Sequence, residues 1–442
     1  MKFAHVLLAA VILSAPAVHA ADVPTSACVA HAAASLDALT HGDYAGARKD
    51  FSDAVASKLN ADRLEQAWQR LQSLQGAYRS HDAPRVAVFA GHPVVLATLN
   101  FAKARLDFMV ACDAQDKIIG YRFVPPETPV QAHVEADGVR VSPLDVPTPV
   151  GPLRGVLTMP PGTGPFPAVV MVAGSGAHDM DETVGPNKPF RDIAERLARA
   201  GVASLRYDKR TFDHPKDWGG KSGPVIDAEV TDDAVAAARL LARQETVDPR
   251  RVFVLGHSLG AMMAPRIGEH DPQLAGLVLM AAPARRIFDV LEQQVREQTA
   301  KVDNQSAAIA QAVQPYVEEQ KLLAAVGPGQ PAPQGDFKGV PQGYWLSWSR
   351  VDPVADARAL STPMLILQGN DDFQVSSTLD FAHWRKELAG RPHTTFHLYP
   401  GLSHLFMPAG KTGTLADYKA PAHVDAEVID DIASWVKAQP AR

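Results

Sequence analysis

The pentapeptide Gly256-His257-Ser258-Leu259-Gly260 fits the pattern G-x-S-x-G. It follows RVFVL, an apolar run that reads as a strand, and opens AMMAPRIGEH, which reads as a helix. That strand–turn–helix setting is what turns the pattern into a nucleophile elbow. The sharp turn lifts the Ser258 hydroxyl above the carboxyl edge of a sheet. The flanking glycines avoid collision with neighbouring backbone, and the helix N-terminus favours developing negative charge. A serine hydroxyl still needs a base. In sites of this build an acid and then a histidine follow the serine in the chain.

The acid is expected after the run PMLILQG, where the chain reads Asn370-Asp371-Asp372-Phe373-Gln374-Val375. Counting from Gly369, G-x-x-D-x-x-V selects Asp372. Asp371 is left to cap the loop or face solvent. The histidine is expected after the next strand, TTFHLYP, in the loop Gly401-Leu402-Ser403-His404. The sequence has 16 histidines, so order and position must choose among them. His404 has both. His397 falls inside the strand and reads as packing, and His393 and His423 read as surface. Asp372 would hold the His404 imidazole in its working tautomer. An oxyanion hole needs two N–H donors. Leu259, directly after the nucleophile, supplies one. The loop Gly174-Ser175-Gly176-Ala177, after FPAVVMVA, supplies the other, with Ser175 the first choice and Gly176 the next.

The elements that must position these groups run from about residue 130. A hairpin of VRVSPLDVPT and GPLRGVLTMP comes first. Apolar strands and helices then alternate, with a last helix near 422–438. Near-continuous apolar strands between helices imply an α/β fold whose mostly parallel sheet carries helices on both faces. Residues 283–350 interrupt the order and read as an inserted cap: helical and polar, then GPGQPAPQG, then Tyr344, Trp345 and Trp348. The tryptophans either line an acyl pocket or pack the cap down. Ahead of this catalytic domain, 130–442, lies a small α+β domain at 22–125. It reads as helical over 24–80, with Leu64, Trp68, Leu71 and Leu74 at helical spacing, and as an antiparallel meander over 85–124. Pro125, Pro126 and Pro129 form the link.

Of the 442 residues, 46% are hydrophobic and 21% charged, as in an ordinary globular protein. The net charge of −6 offers no basic excess, which argues against a nucleic-acid partner. Residues 1–20 combine Lys2, an apolar run from Val6 to Leu13 and the small-x-small ending Val18-His19-Ala20. That is a signal peptide with cleavage expected after Ala20, so the chain is expected in the periplasm or outside the cell. The apolar run is too short for comfortable membrane spanning, and no stable membrane insertion is expected once it is removed. In that compartment the only two cysteines, Cys28 and Cys112, are candidates for one disulfide. No cofactor is implied. Asp179, Asp181 and Glu182 invite a metal reading, but ion pairs with Arg206, Lys209 or Arg210 explain them better.

Together these residues resemble the α/β-hydrolase superfamily over roughly 130–442. The stretch GSGAHDMDETVGPNKPFRDIAERLARAGVASLRYDKR is similar to that of bacterial carboxylesterases related to dienelactone hydrolases and prolyl-oligopeptidase-type enzymes. The resemblance implies a serine esterase for small, short-acyl esters, with Ser258, Asp372 and His404 as triad and a helical cap over the site. One departure is Ala173-Gly174, where hydrolase oxyanion loops commonly carry His-Gly. The leading segment resembles a small nuclear-transport-factor-like domain, whose position allows tethering, homodimerisation or coverage of the cleft. A peptidase or thioesterase on the same fold is the alternative, although 125 residues are too few for the β-propeller of large peptidases. A non-catalytic binding protein is the third reading. It sits poorly with a full set of candidate triad residues.

Overall fold

The computed structural model describes residues 24–89, 92–124, 130–214, 219 and 223–442. The proposed signal peptide and the proline link lie outside them. The chain divides between Pro129 and Val130 into two compact units.

The first unit opens with three helices, α1 (Ser26–Thr40), α2 (Asp53–Lys58) and α3 (Ala61–Gln75). Each has a side-chain cap: Thr25, Ser52 and Asn60 accept from first-turn N–H groups that no helical carbonyl can reach. Helix α3 buries Leu64, Trp68 and Leu71, while Leu74 stays exposed. Gly76, at φ +85°, ends it in a conformation that L side chains rarely adopt. Five antiparallel strands follow: β1 (Tyr78–His81), β2 (Arg85–Phe89), β3 (His92–Phe101), β4 (Arg105–Cys112) and β5 (Ile118–Val124). They lie in the order β1–β3–β4–β5, with β2 also on β3. Residues 78–81 correct the helical reading of 24–80. They pair with β3 through Tyr78↔Phe101 and His81↔Leu99, a long-range partner that local spacing does not announce.

Cys28, buried in α1, is joined to Cys112 at the end of β4, closing a loop of 84 residues. In the chain-entropy picture such a crosslink contributes on the order of 4 kcal/mol. Cys28→Ser with Cys112→Ser is therefore expected to destabilise this unit by about that amount. Hydrogen exchange resolved to peptides of residues 24–124 would read the change; equal protection with and without the bond would refute it.

The second unit is built on a nine-stranded sheet. Its strands are β6 (His133–Val134), β7 (Arg140–Pro143), β8 (Gly155–Met159), β9 (Phe166–Val172), β10 (Ala203–Tyr207), β11 (Val247–His257), β12 (Gly276–Met280), β15 (Met364–Gly369) and β16 (Thr394–Tyr399). The order is β16–β15–β12–β11–β9–β10–β8–β7–β6, parallel from β16 to β10 and antiparallel beyond. The central strands β12 and β15 are buried along their whole length, as a sheet covered on both faces requires. One hydrophobic cluster packs helices α6 (Asp232–Leu241) and α7 (Leu259–His270) on one face. A second packs α4 (Pro189–Arg199) and α13 (Ala426–Ala438) on the other.

Between β12 and β15 the chain forms α8 (Ile287–Val302), α9 (Ser306–Ala324), a hairpin of β13 (Asp336–Phe337) and β14 (Val340–Pro341), then α10 (Gln342–Ser349). Trp345 and Trp348 stack 5.5 Å apart with nearly parallel rings, and both are buried. Trp348 Nε1–H points at Met262 Sδ of α7, 3.5 Å away. The tryptophans therefore pack this segment onto the sheet's helices. Residues 377–387, between β15 and β16, are helical too, with Phe381 and Trp384 buried. No helix among the described residues is long and apolar enough to cross a membrane.

Candidate active site

Strand β11 ends at His257 and α7 starts at Leu259, so Ser258 is the whole turn between them. Its backbone lies at φ 52°, ψ −113°, a strained region for a residue with a Cβ. The neighbouring strand and helix hold it there. Ser258 N–H donates to Met280 O at 2.9 Å, and its carbonyl accepts from Met262 N–H at 2.9 Å. The flanking glycines are required by crowding. A Cβ on Gly256 would lie 2.2 Å from Gly260 O, and one on Gly260 would lie 2.0 Å from Val172 O. Leu259 is the first residue of α7, so its N–H has no helical carbonyl behind it.

Asp372 and His404 meet. His404 Nδ1 lies 2.7 Å from Asp372 Oδ2, and both side chains are almost fully buried. Three further donors hold the carboxylate. Gln368 Nε2 donates to Oδ2 at 2.9 Å, and the N–H groups of Gln374 and Val375 donate to Oδ1 at 2.7 and 2.9 Å. The carboxylate is an acceptor, so the ring donates to it from Nδ1, and Nε2 is the nitrogen left to face a substrate proton. The loop that carries His404 is locked to the loop that carries Asp372. Asp371 N–H donates to Leu402 O at 3.0 Å, and a Cβ on Gly369 would lie 2.5 Å from both Leu402 O and Ser403 O. The Asp371 side chain is exposed. Among the described residues the Ser258 hydroxyl makes no hydrogen bond to His404, a contact that tightens in many sites only with substrate present. The remaining histidines singled out above lie elsewhere: His397 beside Asp431 at 3.1 Å, His423 beside Asp192 at 3.0 Å, and His393 exposed.

The loop after β9 runs beside the nucleophile: a Cβ on Gly174 would be 3.3 Å from Ser258 Cβ. Gly174 N–H is already committed, donating to Glu182 Oε1 at 2.6 Å. Ser175 and Gly176 are thus the next amides in line. Glu182 corrects the sequence reading. Asp181 does pair with Arg206, at 3.1 Å, and with Lys188 at 2.8 Å. Asp179 instead accepts from the Thr183 N–H and hydroxyl. Lys209 and Arg210 pair with Glu229 and Asp233. Glu182, itself at φ 51°, meets His257 Nδ1 at 2.9 Å. Among the described residues no group of three or more His, Cys, Asp or Glu is placed to hold a metal.

The second ring nitrogen of His257 lies 2.9 Å from His404 O. A carboxylate and a carbonyl both accept only, so both nitrogens must carry protons and His257 is an imidazolium. Burial works against that charge. The Glu182 carboxylate, the hydrogen bond to it and the His404 carbonyl outweigh burial and hold His257 above its ordinary range. Burial likewise opposes the Glu182 charge, and His257 outweighs it, holding Glu182 below the usual carboxylate range. The pair ties three pieces together: the loop after β9, the residue before Ser258 and the backbone of His404. Sequence spacing gave no hint of it, because the residues stand 75 apart in the chain.

The sign of the pH dependence follows. The contribution of Glu182 is present above about pH 4.3 and is lost as pH falls through its lowered folded value. That of His257 is full below about pH 6.5 and is lost as pH rises through its raised folded value. Wild type is therefore expected to exceed Glu182→Gln by about 3 kcal/mol in urea unfolding at pH 5.5, and by less at pH 9. A difference that stays constant from pH 5.5 to 9 would show that the charges do not matter.

Two family models match the chain. Residues 32–121 match a family described as a protein of unknown function, DUF3887. Residues 169–412 match the alpha/beta hydrolase family. Among curated proteins, Esterase EstD of Thermotoga maritima is 33% identical over 401 residues, 90% of this chain and 92% of the relative. Esterase FrsA of Klebsiella pneumoniae is 28% identical over 133 residues, covering 30% of this chain and 29% of that protein. Among solved structures, a Pyrococcus furiosus esterase aligns over 71% of this chain and 97% of its own, at 16% identity and a TM-score of 0.44.

Proposed function

The chain belongs to the α/β-hydrolase family, and from that premise we propose that it is an exported serine esterase acting on small carboxylic esters of short acyl chain. The observation that carries the proposal is the buried Asp372–His404 contact beside the strained Ser258 turn. The name of the relative EstD supports ester chemistry over amide or thioester chemistry. In this reading His404 Nε2 takes the Ser258 proton as Oγ attacks the ester carbonyl. The developing oxyanion is met by the N–H groups of Leu259 and Ser175. The alcohol leaves with the proton from His404, and water, deprotonated by the same imidazole, frees the acyl group. Export rests on residues 1–20 and agrees with the Cys28–Cys112 bond, since disulfides persist in oxidising compartments.

A fluorophosphonate probe tests the reaction class. Adduct formation on a Ser258 peptide, seen by mass spectrometry, is the expected result. Folded protein that stays unlabelled would favour a binding protein. A p-nitrophenyl ester series of graded acyl length then tests the substrate class, with activity expected to peak at short chains. Preference for long chains would refute that part.

A further inference from the structure

Three carbonyls of the loop 174–178 are each held by a hydrogen-bond donor. Gly174 O accepts from Lys209 Nζ at 2.8 Å. Ser175 O accepts from His178 Nε2 at 2.9 Å. His178 O accepts from Lys209 N–H at 3.0 Å. Lys209 thus grips both ends of the loop, by side chain at one and by backbone at the other. A trans peptide is planar, with C=O and N–H pointing in opposite directions. Fixing Gly174 O toward the Lys209 ammonium therefore aims the N–H of the same peptide unit, that of Ser175, the other way. The neighbouring unit is set likewise, since holding Ser175 O aims Gly176 N–H.

Lys209 is only 4% exposed, and its ammonium is held in turn by Glu229 Oε1 at 2.9 Å. Glu229 is equally buried. Thr211 Oγ1 donates to the same Glu229 oxygen at 3.0 Å, and the Tyr344 hydroxyl donates to the other one. Tyr344 belongs to α10, in the segment inserted between β12 and β15. Burial and the Glu229 charge hold its phenol above the ordinary range. A continuous buried chain thus runs from the inserted cap, through Glu229 and Lys209, to the peptide bearing the Ser175 amide.

We propose that Lys209 is the positioning residue for the oxyanion amide of Ser175, and that Tyr344, through Glu229, couples the seating of the cap to that amide. The proposal rests on the serine esterase reading above. A buried ion pair that only stabilises the fold is the competing explanation, so the test must read the transition state separately from stability.

Tyr344→Phe removes a single oxygen from the cap and leaves the ring packed. It is expected to lower kcat on p-nitrophenyl butyrate roughly tenfold, with KM changed less than about twofold. Lys209→Met is expected to lower kcat about a hundredfold. A trifluoromethyl ketone, which forms a tetrahedral adduct on the serine, should bind each variant more weakly by the same factor as the loss in kcat/KM. Because the two residues act in series, the double variant should be no slower than Lys209→Met alone. Wild-type kcat in Tyr344→Phe, with or without a lower melting temperature, would overturn the coupling. Additive losses in the double variant would overturn the series arrangement. If Lys209→Met does not fold, Tyr344→Phe alone still decides through its kcat and inhibitor affinity. Wild-type protein that neither hydrolyses esters nor takes a fluorophosphonate would instead sink the esterase reading on which this rests.

Discussion

Ser258→Ala is expected to abolish p-nitrophenyl butyrate hydrolysis, with kcat falling on the order of 10⁵-fold, while the protein folds and melts like wild type. The loss follows from chemistry, because the oxygen that attacks the ester carbonyl is gone. The unchanged fold follows from how the turn is held. Both hydrogen bonds that fix residue 258 are made by its backbone, to Met280 and Met262, and survive the substitution. Alanine meets the same steric objection to φ 52° that serine does, so the strain is conserved. The Asp372–His404 pair gains its support from Gln368, Gln374 and Val375, none of which touches Oγ. Steady-state assays, a thermal melt and loss of fluorophosphonate labelling in the variant check the whole expectation. Turnover within tenfold of wild type in a well-folded variant would remove Ser258 from the reaction.

Much of the catalytic unit was legible in the sequence because its signals are local. G-x-S-x-G between an apolar strand and a helix needs no knowledge of distant residues, and backbone crowding at Gly256 and Gly260 is the physical reason for the two glycines. The candidate acid and base, Asp372 and His404, stand in the loops after β15 and β16, where a parallel strand delivers the residue that follows it to the sheet's carboxyl edge, and the two side chains do meet. What stayed hidden depends on contacts between remote segments. Tyr78–His81 is a short strand of polar character, and its pairing partner begins well downstream. The nearby basic cluster offers Glu182 partners in the sequence, but Arg206 pairs with Asp181, Lys209 with Glu229 and Arg210 with Asp233, and Glu182 meets His257 instead. In the sequence Tyr344 stands only as one of an aromatic group with Trp345 and Trp348. Its hydroxyl partner lies 115 residues away in the chain. The first unit, three helices and five antiparallel strands, matches a family with no described function.

Asp372→Asn is expected to cut kcat about 10⁴-fold, whereas the adjacent Asp371→Asn stays within about twofold of wild type. The two carboxylates are neighbours, so the contrast isolates position from local charge. In wild type, Asp372 Oδ1 accepts two backbone N–H groups, which an asparagine oxygen would keep. The asparagine amide nitrogen must then replace Oδ2. There it faces Gln368 Nε2, a donor, and His404 Nδ1. Gln368 cannot turn over without cost, because the same nitrogen also donates to Gly369 O and Val375 O. An N–H directed at His404 Nδ1 forces that nitrogen to accept, so the ring proton moves to Nε2. An imidazole protonated at Nε2 cannot take the Ser258 proton, and no carboxylate remains to stabilise the imidazolium. The Asp371 side chain is exposed, and what it adds to the site is a backbone N–H to Leu402 O, which asparagine retains. Steady-state rates of both variants, with circular dichroism to confirm folding, provide the check. Loss of activity in Asp371→Asn with retention in Asp372→Asn would transfer the acid role to Asp371. Equal small effects in both would mean that His404 works without a carboxylate partner.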